Sequence, residues 1–580
     1  MFEHNLKLLE NVNKSLAFKL SKISLDDALK SVSAIKNEKG EYILACNNKY
    51  VDDTPSPLEA SKSIYEECIK SATSRHDFIV IFGLGLGNLL DYTHQKSMCN
   101  LIVYEPDLNI LRFTFEYVDL SKYFADKRLF IANNLNECTN FIEEKYLLDD
   151  KIEFVYLKNY LMQHSSEFTV LTERIFEVCQ NKIIDMNTTK KLSKLWINNT
   201  FVNLSGLNVH YPINLLENKF DGKTALVLGA GPSLKENIEK IKENREKFVI
   251  FAVHRTLETL RVNGIVPDFC VIVDADYVKH SITNDLKYLS EINVISDIKS
   301  DTFIKKLPFK NFFTYYSSNS TFAQKLEIKL SNLIKTLETG GTSAICAYRC
   351  AKFMGCKNIV FAGIDLAFKN DVAYCDGKIV AANTQTSVKI QNVVRQTTKV
   401  KSITGEYVQT RADYASFIKQ FENIFSTDKA SVLYNITDFG AFISGMKYMP
   451  LEEILENISS DLVDVNGVLN TVLSKNSDLI DQVQKATIEI LREEKQKVTP
   501  IVDLINEWFE MYSQHPQFFD YAAKIITKIT STMILQEYIQ MELIRFSKLI
   551  FSKDEDYKRT FLNDLFKVVL SYDKTLYNLI

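Results

Sequence analysis

Proline and glycine are scarce in this chain, ten and eighteen residues respectively out of 580. That scarcity excludes a collagen-like or linker-rich protein and favours helix-rich architecture with limited disorder. The ten cysteines are scattered with no C-x-x-C pair, so neither a zinc ribbon nor a thiol-redox motif is supported. Cys346, Cys350 and Cys356 fall around one predicted helix, where buried reduced thiols are expected rather than a metal site. An excess of basic charge is missing too. The formal net charge is -4, which implies no general affinity for nucleic acid or anionic membranes. The most apolar late segment, residues 521–551, carries Lys524, Lys528, Glu537, Glu542, Arg545 and Lys548, too many charges for a bilayer span. The first twenty residues lack a basic region followed by an apolar core, so no secretory signal is expected and a cytoplasmic location is.

What is present is an ordinary globular composition, 46% hydrophobic and 24% charged. The length suggests roughly two to four domains. The pattern predicts an α/β protein: an N-terminal Rossmann-like α/β domain over 1–205, a central Rossmann-like domain with a mostly parallel sheet over 206–450, and a C-terminal helical bundle over 451–580. In the first segment, GEYILACNNKYVDD alternates like a short strand or hairpin around Asn47 and Asn48. A helix from about residue 57 to 71 leads to FIVIFGLGLGNLLDY, with Gly83, Gly85 and Gly87, and then to LIVYEPD, which ends in Glu105. This imitates the start of a nucleoside-binding Rossmann fold, in which a terminal acidic residue takes the ribose hydroxyls. A methyltransferase reading is therefore open, beside one in which the glycines only let helix and strand pack closely. Further strands are expected at 128–132 and 152–156.

In the central segment, strands are expected at 225–228, 248–253, 269–274, 293–296, 312–316, 359–362 and 431–435. Ligands of such sheets gather beyond the carboxyl ends of the strands. The first end is LVLGAGPSLKENI, a glycine turn (Gly229, Gly231) with Pro232 and Ser233 opening a helix. Free backbone N–H groups there would accept a phosphate. Ser233 with Glu236 also fits a capping box. The second end presents His254 and Arg255, where the histidine is either an orienting or basic group or a surface residue. The third delivers Asp274 and Asp276, a D-x-D pair that suits either a divalent cation on a pyrophosphate or a capped turn. The fourth, LETGGTSAICAYRCAKFMGCKNIVFAGIDLAF, opens a second helix with Gly340, Gly341, Thr342 and Ser343, and its following strand ends in Gly363, Ile364 and Asp365. Two anion-accepting helix starts suit a ligand bearing both a phosphate and a carboxylate; two ordinary capped helices are the alternative.

LVLGAGPSL, GIVPDFCVIVDAD, GGTSAICAYRCAKFMGCKNIVFAGIDLAF and VLYNITDFGAFISGMKYMPLEEIL, taken in this order, resemble the motility-associated factor (Maf) family of bacterial flagellin glycosyltransferases. FGLGLGN and VYEPD resemble that family's N-terminal domain, so the likeness spans residues 40 to 455 or so. The middle domain is also similar to bacterial CMP-sialic-acid sialyltransferases. The resemblance implies transfer of pseudaminic or legionaminic acid from a CMP-sugar to Ser or Thr of flagellin, with no cofactor and no required metal. It implies that Gly229, Gly231, Pro232 and Ser233 hold the nucleotide and that Gly341, Thr342 and Ser343 hold the donor phosphate or carboxylate. A base must take the acceptor proton while the leaving CMP is stabilised. The candidates are His254, Asp274 and Asp365, with Tyr316 at a strand end for the leaving phosphate. The rivals are an ATP- and magnesium-dependent pterin pyrophosphokinase and a non-enzymatic flagellar export or assembly factor. The polar segment 381–425 suits a flexible lid, an acceptor groove or a plain surface excursion. Beyond Pro450, Ile501, Leu504, Ile505, Trp508 and Phe509 fall on one helix face, in a bundle that either binds the acceptor protein or packs on the sheet.

Overall fold

The computed structural model describes the chain except for residues 148–149, 205–209, 319, 331–333, 339, 378–380, 385–386, 391–392, 459–461, 533, 550–554 and 578–580. The expected boundary at 205/206 and part of the polar segment (Gln385, Thr386, Gln391, Asn392) lie outside the described residues. Two compact units form, residues 1–190 and 191–580. Among the described residues, no helix is long and apolar enough to cross a membrane.

The main sheet of the first unit has four strands, β1 (Phe78–Phe82), β2 (Asn100–Tyr104), β3 (Leu129–Ala132) and β4 (Ile152–Tyr156). They make an all-parallel sheet in the order β3-β2-β1-β4. Every residue of β1 is buried, as expected of a continuous apolar run in a parallel sheet covered on both faces. Before it, Tyr42–Cys46 and Lys49–Tyr50 form the expected hairpin, turning through Asn47 and Asn48 at φ 51° and 62°. Asparagine tolerates this left-handed conformation, which is what a two-residue hairpin turn requires.

The second unit is built on ten strands: β5 (His210–Pro212), β6 (Thr224–Leu228), β7 (Val249–Val253), β8 (Phe269–Ile272), β9 (Asn293–Asp297), β10 (Phe312–Ser317), β11 (Thr336–Leu337), β12 (Asn358–Ala362), β13 (Val432–Asn435) and β14 (Lys447–Tyr448). Their order is β11-β10-β9-β8-β7-β6-β12-β13-β14, with β5 also on β10, and every pairing is parallel. Alternate residues feed two cores. Val227, Val249 and Phe251 join one, and Leu226, Leu228, Ile250 and Ala252 the other. The first core continues into the C-terminal helices through Ile501, Ile505, Trp508, Leu562 and Phe566. Those helices therefore share a hydrophobic core with the sheet.

Between β12 and β13 the polar segment is a four-stranded antiparallel sheet followed by the helix Ala412–Thr427. It is joined to the loop after β12: the Thr410 hydroxyl donates to the Leu366 carbonyl (2.6 Å), and the Phe368 N–H to that of Gln409 (3.1 Å).

Candidate functional site

Strand order reverses between β6 and β12, so the chain leaves β6 toward one edge of the sheet and β12 toward the other. At such a switch point a crevice opens beyond the carboxyl ends of the strands. The two sequences meeting there are the Gly229–Ser233 turn and Gly363–Asp365.

They bond to each other closely. The Gly229 N–H donates to the Ala362 carbonyl and the Gly231 N–H to the Gly363 carbonyl, each at 2.8 Å. The Ser233 N–H donates to Asp365 Oδ2 (2.8 Å) and its hydroxyl to Oδ1. Thr437 adds a further hydroxyl contact to Oδ1 at 3.2 Å. Glycine is required at 231 because a Cβ there would lie 2.5 Å from Asp365 Oδ2. The expectation of free N–H groups opening a helix is thus corrected. The donors at Gly229, Gly231 and Ser233 are consumed within the protein, and Pro232–Asn237 is a 3-10 helix that passes into a six-residue α-helix. Glu236 pairs with Lys369 rather than closing a capping box on Ser233.

Asp365 is 1% exposed, and burial pushes its carboxyl up to about 6 against the pull of the Ser233 and Thr437 hydrogen bonds. As a candidate base it is corrected to a brace, since both its oxygens are engaged and no face is open to an acceptor. Tyr316 is corrected as well. It is 2% exposed, lies in the hydrophobic core, and its phenol is raised by burial, so it does not stand on the rim.

His254 and Asp274 are brought together. His254 is buried in the short turn after β7, with Nε2 2.9 Å from Ser281 Oγ and Nδ1 3.6 Å from Asp274 Oδ2. The second separation is too long for a hydrogen bond. Burial holds the imidazole below its usual pKa; Asp274 opposes that effect and Arg255 reinforces it. The Asp274 side chain is 52% exposed and is the accessible member of the pair. Asp276 stands beside it, its carboxyl raised by burial and by the neighbouring Asp274 and Asp301 charges. Among the described residues no group of three or more His, Cys, Asp or Glu side chains could hold a metal ion.

The second helix start is capped from within. Thr342 accepts from the Ile345 N–H (3.2 Å) at the head of the Ser343–Phe353 helix, and the Gly341 N–H donates to Gln420 Oε1 (2.9 Å). Gly341 is exposed, and Thr342 and Ser343 are partly so.

Residues not assigned from the sequence complete the crevice. Cys375 N–H donates to the Ala230 carbonyl (2.8 Å), bringing the loop after β12 over the glycine turn. The adjacent Tyr374 receives a hydrogen bond from Arg411 Nη1 (2.9 Å), and the Arg255 guanidinium lies 4.6 Å from its ring centre. No motif marks Tyr374 or Arg411. Tyr374 precedes the inserted sheet and Arg411 ends its last strand, so they meet only in three dimensions.

Comparison with known proteins agrees with this architecture. A solved structure of a Maf glycosyltransferase from Magnetospirillum magneticum AMB-1 superposes with a TM-score of 0.66, covering 100% of this chain and 96% of that one at 13% sequence identity. The chain has the Maf glycosyltransferase fold. The family described as 6-hydroxymethylpterin diphosphokinase MptE-like matches residues 198–371, the part of the Maf fold that carries the β6 turn, the histidine and the acidic pair. Two uncharacterised proteins of Treponema pallidum (strain Nichols) are similar in sequence. One is 27% identical over 172 residues, covering 29% of this chain and 81% of the relative. The other is 23% identical over 212 residues, covering 36% and 72%.

Proposed function

We propose that the chain is a glycosyltransferase that moves a nonulosonic acid, pseudaminic or legionaminic, from its CMP-activated form to Ser or Thr hydroxyls of flagellin in the cytoplasm, a step serving filament assembly and motility. The observation that carries this reading is the end-to-end similarity to a Maf glycosyltransferase. The crevice at the β6/β12 switch point supports it locally, being the place where a nucleotide donor sits in doubly wound sheets.

In this reading the Asp274 carboxylate takes the acceptor proton, and the buried His254, 3.6 Å from it, lines the site behind it. The freed oxygen attacks the anomeric carbon as the bond to CMP breaks, and the bonding electrons leave on the phosphate oxygen. Gly229, Gly231, Pro232 and Ser233 form the floor under the nucleotide, with Asp365 fixing the turn from below. Gly341, Thr342 and Ser343 face the donor carboxylate from the Ser343–Phe353 helix start.

The test is incubation with flagellin and either CMP-pseudaminic or CMP-legionaminic acid, with and without EDTA, read by mass spectrometry of flagellin. The expected outcome is a nonulosonate mass increment that EDTA leaves intact and that Asp274→Asn slows by about 100-fold or more. No adduct with either donor would refute the reading. A second reading, pterin pyrophosphoryl transfer, is favoured by the family match over residues 198–371. It requires 6-hydroxymethylpterin, ATP and magnesium, so an EDTA-sensitive pterin diphosphate product would establish it instead.

A further inference from the structure

An anionic ligand in the switch-point crevice needs positive charge or free donors, and the glycine turn offers few. Its N–H groups at Gly229, Gly231 and Ser233 already bond to Ala362, Gly363 and Asp365. Asp365 itself places a carboxyl directly beneath the turn. The cations nearby are therefore decisive, and two arginines approach the crevice from different elements.

Arg411, at the end of the strand Tyr407–Arg411, is 7% exposed. Its Nε (2.9 Å) and Nη2 (2.5 Å) are held by Asp413, and its Nη1 is given to the Tyr374 hydroxyl. Its charge is balanced and its orientation fixed. Arg255 differs. It leaves the carboxyl end of β7 and stacks on the face of Tyr374, and its Nη1 is shielded from solvent with no hydrogen-bond partner among the described residues. A shielded guanidinium N–H without an acceptor is costly, because desolvation is not repaid by a bond. Tyr374 thus has one guanidinium on its ring and another on its hydroxyl, and the Cys375 N–H anchors it to Ala230 in the glycine turn.

We propose that Arg255, Tyr374 and Arg411 form the anion-binding subsite of the crevice, in which Arg255 takes the phosphate of the bound nucleotide, Tyr374 donates its hydroxyl to it, and Arg411 positions Tyr374. The identity of the nucleotide rests on the transferase reading above; the preference for an anion rests on the arrangement of the three side chains. Planar guanidinium forks suit phosphate oxygens, which accept two N–H bonds at once. The phenol provides an independent signature. Burial would raise the Tyr374 pKa, yet Arg411, Tyr414 and Arg255 together outweigh it and hold the phenol below its ordinary value. A phosphate beside it would push the pKa back up.

Calorimetric titration of the full chain with CMP, cytidine, ATP and inorganic phosphate tests this, using the wild type, Arg255→Ala, Arg255→Lys and Tyr374→Phe, each checked for an intact thermal transition. CMP binding is expected to weaken roughly tenfold or more in Arg255→Ala and to be partly restored in Arg255→Lys, while cytidine is indifferent to the change. The phenolate absorbance that disappears in Tyr374→Phe should titrate at higher pH when CMP is bound. Arg255-dependent binding of ATP and phosphate, with CMP no better than phosphate, would keep the subsite and remove the CMP-sugar reading. Unchanged CMP affinity in folded Arg255→Ala, or no binding of any phosphate-bearing probe by the wild type, would overturn the proposal.

Discussion

Asp365 links two distant pieces of chain through a carboxylate that accepts the Ser233 N–H, the Ser233 hydroxyl and the Thr437 hydroxyl. Replacing it by alanine leaves the Ser233 N–H and hydroxyl without an acceptor, while the Thr437 hydroxyl keeps the Phe439 carbonyl (2.5 Å). A loss of about 2 to 4 kcal/mol is expected in chemical denaturation of Asp365→Ala. The pH dependence follows from the raised pKa. Burial raises the folded carboxyl to about 6 from its ordinary value of 3.8, so between those values the native state binds more protons than the unfolded one. Stability from this group is fully present below the unfolded value and is lost as pH rises through about 6. The wild type should therefore lose stability relative to Asp365→Asn between about pH 4 and pH 7, as read from denaturant midpoints at several pH values. A flat difference would show that the carboxyl ionises normally.

At the scale of elements, the strands were legible because each is an apolar run closed by a turn. TALVL, VIFAV and NIVFA are buried almost throughout, and a run of that kind reads the same before and after folding. What followed the strands was less legible. G-A-G-P-S looks like an open anion nest, but whether its N–H groups are free depends on Gly363 and Asp365, which the local sequence does not contain. Tyr374 and Arg411 were unreadable for the same reason.

The first unit repeats the lesson. Its Gly83–Gly87 loop resembles a nucleoside-binding start, yet a Cβ at Gly85 would lie 2.0 Å from Asp52 Oδ1 and one at Gly83 2.8 Å from the Tyr160 ring. Glu105, the expected ribose ligand, is fully buried and accepts from the Tyr160 hydroxyl (2.6 Å) and the Leu84 N–H (3.0 Å). The loop is filled by the protein's own side chains, which favours the packing role of the glycines over the methyltransferase reading. No thermal shift is expected on adding S-adenosylmethionine to the full chain. A saturable shift of several degrees, abolished in Glu105→Gln, would contradict this.

For the whole molecule, the distribution of cores decides what can be removed. Residues of the first unit close their own core, whereas the second unit's core runs continuously from the sheet into the C-terminal helices. A chain ending at residue 450 would expose the face that Ile501, Ile505, Trp508 and Phe566 cover. It is expected to lose the cooperative unfolding transition of the second unit, seen by circular dichroism, and to be rapidly cut by protease within residues 210–450. A truncated chain as protease-resistant as the full one would show that the helices only decorate the sheet.

The clamp on the glycine turn also sets a timetable. Ser233 and Asp365 are 132 residues apart, with β7 to β12 lying between them in the chain. At about 5 to 20 residues per second, a ribosome needs roughly 7 to 26 s to deliver the aspartate after the serine. Until then the turn has no carboxylate beneath it, so the crevice can take shape only after β6 to β12 have all been made.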